Sequence, residues 1–341
     1  MPIYRATLGC LFAGLMLVAC VSVPAQSGDI LVKRAQMHMG TLVSITAVAS
    51  SEFIAQAAIT AAFQEIRRLE ELLSTWIPTS ELSRVNRAAG REPVRVSPET
   101  FTILKRSLDM AQLTHGGFNI AIGPAVEAWS VMERQHIPND GELEAIRPLV
   151  DLSYIQLNEV ERTVFLARSG MRIDVGGIGK GYAADLAARV MQEAGALAGV
   201  VALSGDIKTF GQLPGGAKFP FGIRHPRKDG ALLAVIELQD EAISTAGDYE
   251  RFFEREGVRY HHILDPATLR PARACQSVTV IAREGTVADG LDTGIFVLGP
   301  ERGMALVERL LDVEAVIVGQ DGKLLVSSGL KDRIRILAEG Q

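Results

Sequence analysis

The sequence predicts an α/β fold of the mixed α+β kind, one compact unit in which helices flank mixed sheets. Three observations predict it. Apolar residues make up 48% of the 341, enough for a sizeable core and too many for a disordered chain. Stretches of helical period and short strand-like runs alternate without an internal repeat, a low-complexity tract or an obvious linker. Glycine is abundant, at 33 residues, and falls in short clusters that allow close backbone approach to a ligand. The 35 Lys and Arg against 40 Asp and Glu give a net charge of −5, and aromatics reach only 6%, so nothing favours DNA or RNA as a partner.

The chain opens with an address. Residues 1–19 hold one basic residue, Arg5, and an apolar run too short to span a bilayer, the pattern of an export signal. The run ends in Leu17-Val18-Ala19-Cys20, which resembles a bacterial lipoprotein cleavage box with Cys20 as the lipid-bearing residue. An ordinary signal peptide with a chance cysteine is the alternative. Val21 stands where an inner-membrane retention signal often has Asp, so outer-membrane sorting stays open. The expected division is a signal peptide over 1–19, a lipidated N-terminus and tether over 20–34, and one domain over 35–341. Cys10 leaves with the signal and Cys275 has no partner, so no disulfide is expected. The absence of CxxC and HExxH argues against zinc.

Within the domain, 41–48 reads as a strand after Met39-Gly40. Residues 52–73 carry Ala62, Ile66, Leu69 and Leu73 at helical spacing. Residues 74–96 read as loop. Ser97-Pro98 supplies a cap and first-turn proline for a helix with the apolar face Phe101, Leu104, Leu108 and Ala111. Residues 171–175 read as a strand, and 182–194 as a helix closed by Gly195. Further strands are expected at 199–204, 219–223, 232–238, 278–282, 313–318 and 322–327. Further helices are expected at 286–297 and 300–311.

Five segments carry candidate chemistry. In Asp174-Val175-Gly176-Gly177-Ile178-Gly179-Lys180 an acid ends a strand, glycines expose backbone, and a lysine opens a helix. That suits an anionic ligand, although it is neither a Walker A loop nor GxGxxG, and a plain tight turn reads equally well. Asp289 and Thr293 are four apart and share a helix face, suited to Mg²⁺. The competing reading is a helix cap, since Thr286 and Asp289 have capping-box spacing. His261 and His262 point to opposite faces if extended, so only one easily enters a given site. Trp76, in the polar loop 74–86, could stack on a planar ring or plug the core. Gly116-Gly117-Phe118-Asn119 allows close ligand contact or is a simple turn.

Together and in this order, the segments resemble the ApbE-type FAD:protein FMN transferases. The resemblance runs from about Met39 to Gly303 and rests on Met39-Gly40-Thr41, 74–86, 116–124, 174–182, Asp248-Tyr249-Glu250-Arg251, His262-Ile263-Leu264-Asp265-Pro266 and 289–293. It implies a T-fold-like architecture and an enzyme that uses FAD and Mg²⁺. Such enzymes move FMN onto a Ser or Thr hydroxyl of an acceptor protein, such as a membrane or periplasmic redox subunit, and release AMP. Met39, Trp76, Gly117, Phe118, Asn119, Asp174, Lys180 and Ile263 match FAD-contacting positions. Asp289, Thr293 and the Gly177 carbonyl match the metal positions, with Asp292 a nearby carboxylate. His262 matches a base or phosphate contact, and Lys180 would offset phosphate charge. The implied location is the periplasmic side of a bacterial membrane.

Three departures stand out. Asn119 replaces the acid of the usual Gly-x-Phe-Asp-x-x-x-Gly-Pro. Ser204-Gly205 replaces a double glycine before Asp206, and Thr268-Leu269 replaces Thr-Gly. Two other readings of the same residues are an FAD pyrophosphatase giving FMN and AMP, and a lipoprotein that binds FAD without chemistry.

Overall fold

The computed structural model describes residues 28–337. The expected signal peptide and Cys20 lie outside the described residues. Among the described residues no helix is long and apolar enough to cross a membrane.

The described residues open with the hairpin β1 (Ile30–His38) and β2 (Thr41–Ala49), then α1 (Glu52–Leu73), α2 (Glu81–Arg87), β3 (Val94–Arg95) and α3 (Pro98–Leu113). Short helices α4 (Gly123–Trp129) and α5 (Asp140–Ile146) and strands β4 (Ile155–Asn158) and β5 (Thr163–Leu166) lead to α6 (Gly179–Glu193). There follow β6 (Ala198–Leu203), β7 (Asp206–Phe210), β8 (Phe219–Arg224), β9 (Leu232–Leu238) and β10 (Ala242–Gly247). Next come β11 (Phe252–Arg255), β12 (Val258–His261), β13 (Leu264–Asp265), β14 (Arg270–Pro271) and β15 (Cys275–Ala282). The described residues end with α7 (Gly285–Leu298), α8 (Pro300–Val307), β16 (Val313–Gly319), β17 (Leu324–Val326) and β18 (Ile334–Ile336).

Local chemistry explains the helices read from sequence. The Ser51 hydroxyl accepts from the Ile54 N–H and starts α1, whose buried stripe is Ala55, Ala58, Ile59, Ala62, Ile66, Leu69 and Leu73. Ser97 does the same for α3 through the Thr100 N–H, with Pro98 in the first turn. The β1–β2 turn is Met39-Gly40, with φ of 49° and 68°, the left-handed pair that a two-residue hairpin turn requires.

The main sheet has eight strands in the order β1-β2-β6-β7-β10-β15-β16-β17, every neighbouring pair antiparallel. Helices α1, α6 and α7 cover one face, where Ile45, Ala47, Val201 and Val280 join the helix stripes in the largest core. The small sheet β18-β9-β8 covers the other face, packing Phe219, Phe221, Ile236 and Leu238 against Val48, Ile207 and Ile281. A satellite cluster gathers around Trp129, Phe253 and Leu269. Register sets which loops meet. His38 opposes Thr41, Val43 opposes Leu203, Leu203 opposes Asp206, and Gly247 opposes Ser277. The Met39-Gly40 turn, the Ser204-Gly205 turn and the exit from β10 therefore share one end of the sheet.

Several expectations are corrected. Residues 30–34, read as tether, belong to β1 and pair with β2 throughout. The loop region 74–96 contains α2, capped by the Ser80 hydroxyl, and β3. Residues 171–175 form no strand. Their backbone is held instead by the Asn86 amide, which accepts from Ile173 N–H at 2.7 Å and donates to Ile173 C=O at 3.0 Å. Helix α6 begins at Gly179, three residues before the expected start, and α8 ends at Val307.

Candidate active site

The site grows from the crossing of α6 and α7. A Cβ on Gly181 would lie 2.1 Å from the Gly285 carbonyl oxygen, and one on Gly285 would lie 2.7 Å from that of Gly181. Only glycine permits this approach, and it brings the first turns of the two helices together. Neither helix has a side-chain cap of its own, because Ile178 and Glu284 hold the cap positions. Each borrows a carboxylate from the other. Asp289 of α7 accepts from the Gly181 N–H at 2.8 Å. Asp185 of α6 accepts from the Gly285 and Thr286 N–H groups at 2.7 and 2.9 Å and from the Thr286 hydroxyl at 2.7 Å. The capping-box reading of Thr286 and Asp289 is thereby corrected: Asp289 does cap a helix, but the neighbouring one.

Asp206, Asp289 and Asp292 each bring a carboxylate oxygen within 4.8 Å of the others. All three are buried, at 2–3% exposure, where unpaired carboxylates are costly. Lys180 forms an ion pair with Asp206. The Ser244 hydroxyl touches Asp206 and lies 2.6 Å from Asp292 Oδ2. Burial first, and then the neighbouring carboxylates, push the pKa values of Asp289 and Asp292 upward. Burial works against the Lys180 ammonium too, but Asp206, Asp289 and Asp292 outweigh it and keep it charged. The Thr293 hydroxyl lies 3.2 Å from Asp292 Oδ1, and a Cβ on Gly177 would sit 3.1 Å from Thr293 Oγ1. Three carboxylates against one ammonium, with a hydroxyl and a glycine backbone beside them, form an all-oxygen donor set with excess negative charge. These residues fit a hard divalent cation such as Mg²⁺.

The expected residues divide around this centre. Gly177, Lys180, Asp289 and Thr293 come together. A Cβ on Gly117 would sit 2.7 Å from the Gly294 carbonyl, so the 115–119 segment rests on α7. The Phe118 side chain is buried behind Gly177 and supports that loop from the core. The Asn119 amide is engaged by the fold, accepting from the Ala121 N–H at 2.7 Å and donating to the Val150 carbonyl at 3.0 Å. The Ile263 side chain is in the core. Asp174 is half-buried and accepts from the Gly176 N–H at 2.6 Å; burial raises its pKa against that hydrogen bond and against Arg172 and Arg251. The Met39 N–H donates to Glu70 Oε1 at 2.8 Å, which ties the hairpin turn to the C-terminal part of α1. Trp76 follows that helix and is 78% exposed, which removes the core-plug reading.

The two histidines diverge as an extended stretch demands. His261 is buried, with Nε2 at 2.7 Å from the Ala272 carbonyl and Nδ1 accepting from the Ile263 N–H at 3.3 Å. Both nitrogens are used, so its role is structural. His262 is exposed at its surface, with Nδ1 3.3 Å from the Arg251 carbonyl. A carbonyl can only accept, so Nδ1 carries the hydrogen and Nε2 keeps its lone pair. The protein packed around the ring, then Arg251 and His261, and more weakly Lys180, lower its pKa and leave it neutral at pH 7.

Sequence reasoning missed Asp206 and Ser244 as site groups and gave Asp185 no role. One signal was available for Asp206: a half-buried Lys180 gains from a counter-ion, and an acid after a tight turn supplies it.

Known proteins share the sequence and the fold of this chain. The model of the ApbE family matches residues 39–317. A Treponema pallidum protein named FAD:protein FMN transferase is 34% identical over 322 residues, covering 89% of each chain. A Vibrio cholerae protein of the same name is 35% identical over 277 residues, covering 78% of this chain and 82% of its own. The crystal structure of the Thermotoga maritima ApbE protein superposes with a TM-score of 0.83 at 31% identity, covering 90% of this chain and all (100%) of its own. The Vibrio cholerae flavin transferase ApbE gives 0.79 at 30% identity, covering 89% and 99%. A family match over most of the chain, shared with relatives of the same length and fold, means that the chain belongs to the ApbE family.

Proposed function

We propose that this protein is a Mg²⁺-dependent FAD:protein FMN transferase that moves FMN from FAD to a Ser or Thr hydroxyl of an acceptor protein and releases AMP. The observation that carries the reading is the buried Asp206–Asp289–Asp292 cluster beside Thr293 and the Gly177 loop, in a chain whose relatives bear that name.

The acceptor hydroxyl oxygen attacks the FMN-side phosphorus, the bond to the AMP oxygen breaks, and AMP leaves with that electron pair. His262 Nε2, neutral and unprotonated at pH 7, takes the hydroxyl proton. A magnesium ion held by Asp289, Thr293 and the Gly177 carbonyl would supply charge neutralisation at the pyrophosphate. Lys180 has three donors and commits one to Asp206, leaving others for a phosphate oxygen. Trp76 offers an exposed indole on which a flavin or adenine ring stacks, and Asp174 and Met39 match FAD-contacting positions of the family.

The Leu17–Cys20 box supports a lipid on Cys20 that holds the enzyme at the periplasmic face of a membrane, with a membrane or periplasmic redox subunit as acceptor. Incubation of the protein with FAD, Mg²⁺ and a candidate acceptor tests the reaction by mass spectrometry. The expected result is an acceptor heavier by FMN, with AMP released in equal amount. Free FMN with an unmodified acceptor would assign a pyrophosphatase, and intact FAD would remove the enzymatic reading.

A further inference from the structure

The two helices that build the site repeat one device. Gly181 and Asp185 in α6 have the spacing of Gly285 and Asp289 in α7, the glycines touch, and each aspartate caps the partner helix. One member of the pair, Asp289, lies in the acid cluster. The other, Asp185, bonds to the first turn of α7 through both carboxylate oxygens. We propose that Asp185 is a positioning residue for the cation site, fixing α7 so that Asp289, Asp292 and Thr293 converge. This rests on the cation role proposed above for Asp289 and Thr293.

The argument is mechanical. The N–H groups of Gly285 and Thr286 have no donor-satisfying partner within their own helix. Thr286 is 1% exposed, so water cannot easily replace a lost acceptor there. Without the Asp185 carboxylate the first turn must shift or fray to reach solvent. Asp289 lies one turn further on the same rigid rod, and Asp292 and Thr293 follow within the next turn. The glycine crossing leaves no slack, because the backbones already meet at the closest approach a glycine allows. Asp289 Oδ2 also accepts from the Gly181 N–H, which fixes the direction in which the carboxylate faces a cation. A small rotation of α7 would therefore break convergence before it broke the fold.

The test uses the full chain with Asp185→Ala and Asp185→Asn, and Asp289→Asn as reference. Cation affinity is read directly by Mn²⁺ titration with electron paramagnetic resonance, beside thermal melting and the Mg²⁺ dependence of transfer. Asp185→Ala should weaken Mn²⁺ binding by about 10- to 100-fold, the range typical of residues that orient metal ligands. The rate at saturating Mg²⁺ should fall much less. Asp185→Asn, which keeps one acceptor for the Gly285 or Thr286 N–H, should fall between wild type and Asp185→Ala. A lower melting temperature with Mn²⁺ affinity within twofold of wild type would reduce Asp185 to an ordinary cap and overturn the proposal. If Asp185→Ala does not fold, Asp185→Asn and Thr286→Val carry the same criterion. Mn²⁺ affinity unchanged in Asp289→Asn would overturn the cation reading itself, and this proposal with it. An affinity lost in Asp289→Asn but kept in both Asp185 variants overturns the positioning role alone.

Discussion

Asp289→Asn should stabilise the metal-free protein while abolishing transfer. Asparagine keeps the size of the side chain and an oxygen for the Gly181 N–H, now 2.8 Å from Asp289 Oδ2. It caps about as well as aspartate, so the loss from capping is a few tenths of a kcal/mol. The charge is another matter. Burial first, then Asp206, push the Asp289 carboxyl from 3.8 up to about 7, against the opposing pull of Lys180. At about 1.4 kcal/mol per pH unit, holding it ionised at pH 8 costs at most ~4 kcal/mol. Asp206 and Asp292 share that repulsion, so a gain of about 1–4 kcal/mol is expected for the variant in chelator. The sign follows from linkage. Between the unfolded and folded pKa values the native state binds the extra proton, so wild-type stability falls as pH rises from about 4 to about 7. The advantage of Asp289→Asn should thus be largest above pH 7 and vanish near pH 4. Urea unfolding in chelator at pH 5 and pH 8 measures it. Mg²⁺ should reverse the order, because only the wild type gains strongly from ligand binding. A variant less stable than wild type in chelator at pH 8 would mean that the fold uses this charge, and the account of a strained cation site would be wrong. An active variant with normal Mg²⁺ dependence would remove the metal assignment outright.

Trp76→Ala should weaken FAD binding by roughly 1–3 kcal/mol, while stability stays within about ±0.5 kcal/mol because the ring is already exposed; equilibrium dialysis and a melting curve check both. His262→Gln should slow transfer by about 10²–10⁴-fold. Since the protein packed around the ring and Arg251 lower its pKa, wild-type rate should persist below the usual histidine range as pH falls and then drop, and an unchanged acidic limb in the variant would clear His262 of the base role. Cys20→Ser should move the protein from the membrane fraction to a soluble exported form or an uncleaved precursor, and identical soluble fractionation of both would end the anchor proposal. Ser204→Gly should stabilise by about 0.5–1 kcal/mol, read by urea unfolding, because Ser204 is exposed with φ of 60° and a non-glycine side chain pays for that conformation.

What the sequence made legible was local. The apolar period over 52–73 announces α1 and Ser97 announces α3, because a stripe and a cap act within a turn or two. Asp289 and Thr293 could be paired for the same reason, since helix geometry alone puts them on one face. The failures are the long-range contacts. Residues 171–175 have strand composition, but the Ile173 backbone bonds to Asn86, 87 positions away, and the Asp174 N–H to the Ile120 carbonyl. Helix α2 is seven mostly polar residues and shows little period. Asp206 enters the site by pairing with Lys180 across 26 positions, and Asp289 reaches Gly181 across 108. No window along the chain contains either pair. The functional segments themselves were found because a resemblance compares the whole ordered set, not because any one string specifies its partner.

The two glycines that this chain replaces show why such a resemblance tolerates change. Ser204 has φ of 60° and Leu269 has φ of 59°, both left-handed positions where glycine costs nothing and other residues pay roughly 1–2 kcal/mol. The compensation differs. Leu269 is fully buried in the satellite core, its N–H bonds the Asp265 carbonyl at 2.7 Å, and its carbonyl accepts from Trp129 Nε1 at 2.7 Å. Burying a leucine contributes about 1.5–3 kcal/mol, enough to offset the backbone cost. Ser204 has no such burial. It sits in the exposed turn that delivers Asp206 to Lys180 and Ser244. There the conformation is held by the β6–β7 register, in which Leu203 already opposes Asp206. The backbone path is therefore fixed by neighbours at both positions and does not depend on glycine. Gly181 and Gly285 are of another kind, because no neighbour can make room for a Cβ 2.1 Å from a backbone oxygen. Replacing either would force α6 and α7 apart and take Asp289 away from the α6 N-terminus it caps, so these are the glycines on which the site depends.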